Sequence, residues 1–402
     1  MERYNDPTRD KIYAAIYAEM SDISAREKSR KRKAGERSLW DLIVNNDDVC
    51  FTHVLPHLNR TDLKFLYEVN TETRAMVKRS TRTYDLRQRF EIGQMSSIST
   101  LEFAWENRSL WPGWMDETMF CKRVAYTNKL ELLKWIREEK KCEWDEFTIS
   151  TAAGRGNLEM VKYCIENELH ADTSACAEAA GNGHLDMLKY LHEDLKAPWD
   201  LGTASAAADC GHLHILEYLV ERKYDKYDEE ACKVAIERFH FDCLKYLIEV
   251  AKAPIDAETC ALAAEYGHLD MLKYLHEDVK APWDSETATQ AATFVHLHVL
   301  KYLVECGFDE YNTEACVKAA EGGSLECLKY LIEVAKAPID AEACSGAAKY
   351  GRFDVLRYLH EEAKAPWDED AVRSAIEFRQ IECIKYLLDN KCPLPGGMEY
   401  FR

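Results

Sequence analysis

Apolar and polar positions along most of this chain follow the 3.6-residue period of α-helices, and the whole pattern recurs about every 28 residues. Its most regular mark is an aromatic residue that follows an apolar residue and a lysine, or a similar pair. This mark stands at Trp135, Tyr163, Tyr190, Tyr218, Tyr246, Tyr274, Tyr302, Tyr330, Tyr358 and Tyr386. Self-similarity at a fixed period of this length is typical of repeat architectures.

One unit shows how the pattern predicts a pair of helices. Cys260, Ala263 and Ala264 stand at i, i+3 and i+4, which predicts a first helix with one face of small residues that another helix can approach closely. Gly267 is expected to end that helix, because glycine adopts the left-handed conformation at little cost. A second helix is predicted over about 269–278.

The end of the unit is marked by a helix stop and a new cap. Pro282 cannot continue a helix, and Asp284 or Ser285 can cap the first helix of the next unit. A larger period is superimposed on this one: the string HLDMLKYLHED occupies 184–194 and again 268–278, a shift of 84 residues. The chain therefore repeats in blocks of three units.

The string AA-x-x-GHL-x-x-L-K-Y-L, at residues 263–275 and 179–191, resembles the ankyrin repeat. The resemblance covers about 95–395 and implies an all-α, ankyrin-like helical-hairpin solenoid of about ten repeats. The T-P-L-H tetrapeptide of the family is replaced by ETCAL, and the period is 28 rather than about 33. We therefore expect the β-hairpin finger to be trimmed to a short loop. Leucine-rich and tetratricopeptide repeats fit the pattern less well.

The 28-residue rhythm is absent from residues 38–90. The run Val54-Leu55-x-x-Leu58-x-x-x-Asp62-Leu63-x-x-Leu66-x-x-Val69-Asn70 resembles the F-box, a helical module that docks on the adaptor subunit of cullin-RING ubiquitin ligases. The resemblance implies docking through five apolar residues, which are Val54, Leu55, Leu58, Leu63 and Leu66. The alternative is that these helices only cap the solenoid. We accordingly divide the chain into a disordered basic leader (1–37), an F-box-like module (38–94), the repeat solenoid (95–392) and a C-terminal tail (393–402).

Charge narrows the class of partner. The first 90 residues carry 18 Lys and Arg against 14 Asp and Glu, whereas the remaining 312 carry 34 against 57. An acidic solenoid repels phosphate backbones, so we expect protein partners with basic surfaces, no nucleic acid and no membrane. The basic run at 28–33 could serve as a nuclear import signal.

Three tryptophans, Trp199, Trp283 and Trp367, each follow Lys-Ala-Pro in a loop between repeats, about 25–30 Å apart if helices stack at 8–10 Å. Exposed tryptophans make good anchors for a protein partner. The alternative is that they pack over the loop, as Ile255 and Ile339 would at the same position.

The sequence contains no G-x-G-x-x-G, Walker A, H-E-x-x-H or C-x-x-C motif, and we expect neither an enzyme nor a cofactor. The best metal candidate is Cys210-Gly211-His212-Leu213-His214, but the duplicate of this segment holds Phe294 at the cysteine position. His184, His212, His268 and His296 are instead expected to satisfy backbone groups in the turns. The cysteines are interpreted as small, reduced, buried side chains.

No stretch approaches the length of a membrane helix, and the N-terminus lacks the pattern of a secretory signal. We therefore predict an intracellular monomer, cytoplasmic or nuclear. Its expected role is that of a protein-interaction scaffold, which the F-box-like module could make a substrate receptor of a ubiquitin ligase.

Overall fold

The protein is described by a computed structural model, which covers residues 51, 55–58, 63, 66, 71–82, 91–95, 97–108 and 111–396. Within those residues it contains 22 helices and no strand. The prediction of an all-helical repeat solenoid is confirmed. None of the helices in these residues is long and apolar enough to span a membrane.

The chain divides into two compact units, which are described separately. Unit 1 comprises Met1–Ala179 and Asp186–Pro198, and unit 2 comprises Ala180–Leu185 and Trp199–Arg402. The helices up to the boundary are α1 (Thr71–Arg79), α2 (Ile98–Glu106), α3 (Glu117–Tyr126), α4 (Leu130–Glu138), α5 (Glu146–Gly154), α6 (Leu158–Glu166), α7 (Thr173–Gly181) and α8 (Leu185–Lys189, continued by the π-helical turn Tyr190–Asp194).

Unit 2 contains the other fourteen helices. They are α9 (Leu201–Asp209), α10 (Leu213–Glu221), α11 (Glu229–Glu237), α12 (Phe241–Tyr246, then the π-helical turn Leu247–Ala251), α13 (Ala257–Glu265), α14 (Leu269–Lys273, then Tyr274–Val279), α15 (Ser285–Thr293), α16 (Leu297–Glu305), α17 (Thr313–Gly322), α18 (Leu325–Lys329, then Tyr330–Val334), α19 (Ala341–Lys349), α20 (Phe353–Glu361), α21 (Glu369–Glu377) and α22 (Ile381–Asp389).

From α3 onward the helices form ten hairpins, repeats 1 to 10, each with a first and a second helix. In unit 2 the first helices of successive repeats pack side by side. Their small residues make this approach possible: Cys260, Ala263 and Ala264 of α13 are fully buried, as predicted. On the second helix, Leu272 and Leu275 are fully buried as well. The core thus runs along each unit between the two layers of helices.

Most first helices begin at a side-chain cap, because the orphan N–H groups of a helix N-terminus need acceptors. The first helix of repeat 5, α11, is an exception, since its N-cap residue Asp228 makes no such bond. Asp284 Oδ1 accepts from Glu286 N at 3.0 Å, which confirms the cap predicted there. Asp256 forms a full capping box with Thr259. The same acidic or amide cap accepts a backbone N–H at Asp116, Asp145, Asp200, Asn312, Asp340 and Asp368.

The first helices end in a left-handed residue, which is glycine in most repeats. Gly267 has φ +70°, as expected for a C-terminal turn. Added to this, the imidazole of His296 from the next repeat lies over Gly267, and a Cβ atom there would meet His296 Nδ1 at 2.6 Å. Two separate constraints therefore require glycine at this position.

At the start of unit 1's repeat stack, α2 covers repeat 1 with an aromatic cluster. Trp111 stacks on Phe120 at a centroid distance of 4.6 Å, and Trp105 meets Phe120 edge to face at 5.3 Å. Trp111 Nε1 donates to the Ala104 carbonyl at 2.8 Å. The segment before the first hairpin is thus a packed cover for it.

Candidate functional site

The three tryptophans predicted as anchors are half-buried rather than free. Trp283 stacks on His276, with ring centroids 3.7 Å apart and planes inclined by 15°, and its edge meets Phe308 of the next repeat. Trp367 stacks in the same way on His360 at 3.8 Å. Trp199 packs edge to face on Tyr224 at 5.4 Å. Each ring therefore fixes a loop between repeats and keeps only part of its surface in solvent; partner binding by these tryptophans stays a prediction.

The F-box-like run contributes buried leucines. Leu55, Leu58, Leu63 and Leu66 are all buried, and Val54 lies outside the described residues. The Arg82 guanidinium donates to the Leu58 carbonyl at 2.7 Å and to that of Leu55. These leucines belong to the packed interior of unit 1. Docking by these leucines stays a prediction.

The turn histidines bind the backbone of the preceding repeat. His296 Nε2 donates to the Glu265 carbonyl at 2.8 Å, as expected for a histidine that satisfies backbone groups, and His240 does the same toward Asp209 at 3.1 Å. Other donors replace histidine at the equivalent positions of repeats 9 and 10. They are Arg352, which donates to the Glu321 carbonyl, and Gln380, which donates to the Lys349 carbonyl. A side-chain donor at this position therefore ties the turns of repeats 5, 7, 9 and 10 to the turns before them.

The candidate metal ligands take part in this same arrangement. His214 Nε2 donates to the Gly183 carbonyl at 3.2 Å, and the His212 and His214 rings lie 5.6 Å apart, edge to face. Burial, together with the neighbouring His214, lowers the pKa of His212. In the part of the chain that the structure describes, no three His, Cys, Asp or Glu side chains are grouped as a metal ion would need.

Tyrosines of the second helices bind carboxylates of the preceding repeat. Tyr274 donates to Glu249 at 3.0 Å, and Tyr302 donates to Glu277 at 2.9 Å. The same bond recurs from Tyr163 to Glu138, from Tyr358 to Glu333 and from Tyr386 to Glu361. Burial and the nearby Glu361 raise the pKa of Tyr386 to about 12. These tyrosines stabilise the stack, and the glutamates they bind are not free for a partner.

The first helices of unit 2 form an acidic surface, which we call the first-helix face. The seven helices α9, α11, α13, α15, α17, α19 and α21 carry 13 carboxylates and 4 basic side chains. Positions two, six and nine after the cap share a stripe of each helix, such as Glu258, Leu262 and Glu265 on α13. Since a straight helix is roughly 10–12 Å wide, side-by-side packing joins these stripes into one face.

The basic side chains on the first-helix face are already engaged. Lys233 pairs with Asp256 at 3.2 Å and with Glu258. Lys318 pairs with Glu314 at 3.2 Å and Glu321 at 3.0 Å, and Arg373 pairs with Glu369 and Asp370. The Lys349 ammonium lies over the Tyr350 ring at 5.1 Å. The face therefore keeps a surplus of negative charge.

The surplus of negative charge changes the pKa of a carboxyl group on the first-helix face itself. Burial raises the pKa of Glu265, and repulsion from Glu237 and Glu286 raises it further. When the charged form of a carboxyl is disfavoured by its neighbours, an approaching cation stabilises that charged form. The middle of the first-helix face, in repeats 5 to 7, is therefore prepared for a positively charged group.

A row of exposed aromatic rings borders this face at the turns between the two helices of each repeat. These turn-edge aromatics are Phe239, Tyr266, Phe294, Tyr350 and Phe378, with exposed fractions between 42% for Tyr266 and 57% for Phe239. His268 links two of them, at 4.6 Å from Phe239 and 5.9 Å from Tyr266. Lys349 lies over both Tyr350 and Phe378.

Sequence reasoning missed the turn-edge aromatics, although a signal was present. Tyr266, Phe294, Tyr350 and Phe378 recur at intervals of 28 or 56 residues, next to the glycine position that ends the first helix. A contiguous exposed apolar patch is a common mark of a protein-binding surface. The acidic face and this border together are the best candidate site in unit 2.

Comparison with known protein families recognises ankyrin repeats in two stretches. The family model described as ankyrin repeats (3 copies) matches residues 260–343, and the one described as ankyrin repeats (many copies) matches residues 149–192. The resemblance drawn from the sequence is confirmed there. No curated protein matches the chain.

Among solved structures, the chain is similar to the pentatricopeptide repeat protein PPR10 in complex with an 18-nucleotide psaJ RNA element, with 12% identity and a TM-score of 0.43. That alignment covers 96% of this chain, which spans 64% of the length of that protein. The structure of PPR10 from maize aligns with 10% identity and a TM-score of 0.24, covering 94% of this chain and 71% of the other.

Proposed function

We propose that this chain is a non-enzymatic scaffold that holds a basic segment of a partner protein on the first-helix face of unit 2. The observation that carries the proposal is the surplus of carboxylates on that face, where the basic side chains are already engaged. Electrostatic complementarity of this kind supplies specificity and a high association rate. The turn-edge aromatics supply the apolar contacts that bring affinity.

A peptide experiment tests this proposal. The probe is a fluorescent peptide rich in Lys, Arg, Leu and Trp; the matched probes are the same peptide with Glu in place of the basic residues, and a single-stranded RNA. We expect the basic peptide to bind and the other two not to bind. Binding should weaken steeply between roughly 50 and 200 mM salt, because the Debye length falls to about 8 Å at physiological ionic strength.

Charge-reversed variants locate the site. Glu237→Lys with Glu265→Lys should weaken binding of the basic peptide at least tenfold, since both carboxylates lie on the first-helix face. The control is Asp270→Lys with Glu326→Lys, which makes the same change of charge at exposed positions of second helices. Equal effects of the two pairs, or tighter binding of the RNA than of the peptide, would reject the proposed surface.

We further propose, on the sequence run at 54–70 alone, that the N-terminal module couples the scaffold to a cullin-RING ligase through the adaptor subunit. Full-length protein and purified adaptor should then co-elute as a complex. Because Leu63 is fully buried, a loss of binding in Leu63→Asp counts only if circular dichroism shows an unchanged fold. Absence of a complex at micromolar concentrations would leave the module as a cap of the solenoid.

A further inference from the structure

The 84-residue duplication gives unit 2 two pairs of turn-edge aromatics that can be compared residue by residue. Tyr266 and Phe294 form the first pair, and Tyr350 and Phe378 form the second. In each pair the two rings follow first helices that pack side by side, which are α13 and α15 in the first pair and α19 and α21 in the second. Their exposed fractions are alike, 42% and 49% against 45% and 46%. The duplication has therefore kept two equivalent ring pairs at the edge of the first-helix face.

In the second pair the chain itself supplies a cation. Lys349 is the last residue of α19, and its Nζ atom lies 5.1 Å from the centre of the Tyr350 ring and 5.3 Å from that of Phe378. Both distances are within the roughly 6 Å over which the face of an aromatic ring attracts an ammonium group. The second pair thus shows which kind of group two such rings accommodate between successive repeats.

In the first pair the sign of this charge is reversed. The residue equivalent to Lys349 is Glu265, the last residue of α13. Within the described residues, Tyr266 and Phe294 therefore have a carboxylate at the position from which the second pair receives its ammonium. The rings are the same in both copies, whereas the built-in cation is present in only one of them.

The surroundings of the first pair also favour positive charge. Burial raises the pKa of Tyr266, and the charges of Glu237 and Glu265 raise it further. Arg238 opposes this rise, but its guanidinium is already bound, at 2.8 Å, to an aspartate of the preceding repeat. Glu286 of the next repeat repels Glu265 as well. A cation placed between these rings would therefore meet carboxylates from three successive repeats.

We propose that the space between Tyr266 and Phe294 binds a lysine side chain of the partner, in the way that Lys349 occupies the second pair. The ammonium group contacts both rings and pairs with the Glu265 carboxylate. This inference deepens the proposed function and rests on it, since the lysine belongs to the basic segment held on the first-helix face. It adds one defined position, at repeats 6 and 7, which fixes the register of that segment on the face.

Removal of the rings in pairs tests the proposal. The probe is the fluorescent basic peptide in a version whose basic residues are all lysines, and the protein is the full chain. Tyr266→Leu with Phe294→Leu keeps apolar side chains but removes both rings, and it should raise the dissociation constant roughly 5- to 30-fold, as expected for two exposed cation–π contacts. Tyr350→Leu with Phe378→Leu is the matched control, because Lys349 already occupies those rings, and it should change the constant less than twofold.

A second variant keeps both rings and so does not depend on how well the leucine variants fold. Glu265→Lys gives the first pair the lysine of the second, and the new ammonium should occupy the same two rings. Binding of the peptide should weaken. In this background the further loss of the Tyr266 and Phe294 rings should change the remaining affinity less than twofold, whereas it changes that of the native chain at least fivefold.

The outcomes separate this inference from the proposed function. If the lysine peptide does not bind the native chain, the proposed function is rejected, and this inference with it. If the peptide binds and Glu237→Lys with Glu265→Lys weakens it, the proposed function stands. Binding that is then unchanged by loss of the Tyr266 and Phe294 rings, or that is weakened equally by loss of either ring pair, would overturn this inference alone.

Discussion

Replacing Gly267 by alanine should destabilise the protein by an amount that the neighbouring repeat decides. Gly267 has φ +70°, a conformation that costs an L-residue roughly 1–2 kcal/mol. The new Cβ atom would also meet the His296 ring, whose Cε1 atom lies 2.7 Å from the Cβ position. If the ring moves, its hydrogen bond to the Glu265 carbonyl at 2.8 Å is lost, which costs about 0.5–1.5 kcal/mol more. The expected total is about 1.5–3.5 kcal/mol.

A double-mutant cycle separates the two contributions, measured as free energies of unfolding in urea. In a His296→Ala background the ring is absent, so Gly267→Ala should cost only the conformational part, about 1–2 kcal/mol. The coupling energy between the two sites should then be about 0.5–1.5 kcal/mol, equal to the lost hydrogen bond. Costs that add without coupling would show that the ring does not constrain the turn.

A matched control lies one repeat further along. Val295 occupies the glycine position of repeat 7 with φ +65°, a strained conformation for a β-branched residue. Its side chain is half exposed, so little burial is lost when it is removed. Val295→Gly should therefore stabilise the protein, by about 0.5–1 kcal/mol. Destabilisation by this substitution would contradict the account of the turn.

Three further predictions follow from the packing, the titratable groups and the repeat arrangement. Leu272→Ala should cost roughly 2–5 kcal/mol of unfolding free energy because Leu272 is fully buried, whereas Leu201→Ala at a largely exposed position should cost under about 1 kcal/mol. Burial lowers the pKa of His268 and of His296, so stability should be full above the unfolded-state value of about 6.5 and fall as the pH drops through the lowered folded-state pKa. Urea midpoints at pH 7.5 and 5.5 check this, and His296→Gln should reduce the loss, because Gln380 makes the same hydrogen bond in repeat 10 without titrating. Deletion of residues 256–339, one 84-residue block, should leave a helical protein with a cooperative unfolding transition, and a loss of helicity per residue would argue against independent repeats.

The helical pairs could be predicted from the sequence because local rules and the repeat point to the same elements. Asp284 caps α15, Gly267 ends the turn after α13, and Cys260 lies on the buried face, as predicted. Each of these features depends on residues within one repeat. Spacing and residue type were sufficient for them.

The ends of the second helices were harder to foresee. Most of them end in a left-handed lysine, such as Lys252 at φ +57° and Lys280 at φ +62°, where glycine is the usual residue. A lysine near a helix C-terminus interacts favourably with the helix dipole, which offsets part of the conformational cost. Residue preferences alone do not reveal such a balance between two opposing contributions.

The candidate surface was only partly predictable. The acidic charge of the solenoid could be counted in the sequence, but its concentration on the first helices of unit 2 depends on which side chains the packing leaves outside. The loop tryptophans show that sequence context does not determine how far a ring is exposed. Trp283 has the context of an exposed anchor, yet His276 and Phe308 cover much of its ring.

Duplicated strings show why a repeat cannot be interpreted without its neighbour. Residues 184–194 and 268–278 are identical, yet Tyr274 is buried and Tyr190 is half-buried. The residue 25 positions before Tyr274 is Glu249, which accepts its hydroxyl, whereas Ile165 at the same distance before Tyr190 offers no side-chain acceptor. A side chain's role in this fold is therefore set by the adjoining repeat as much as by its own.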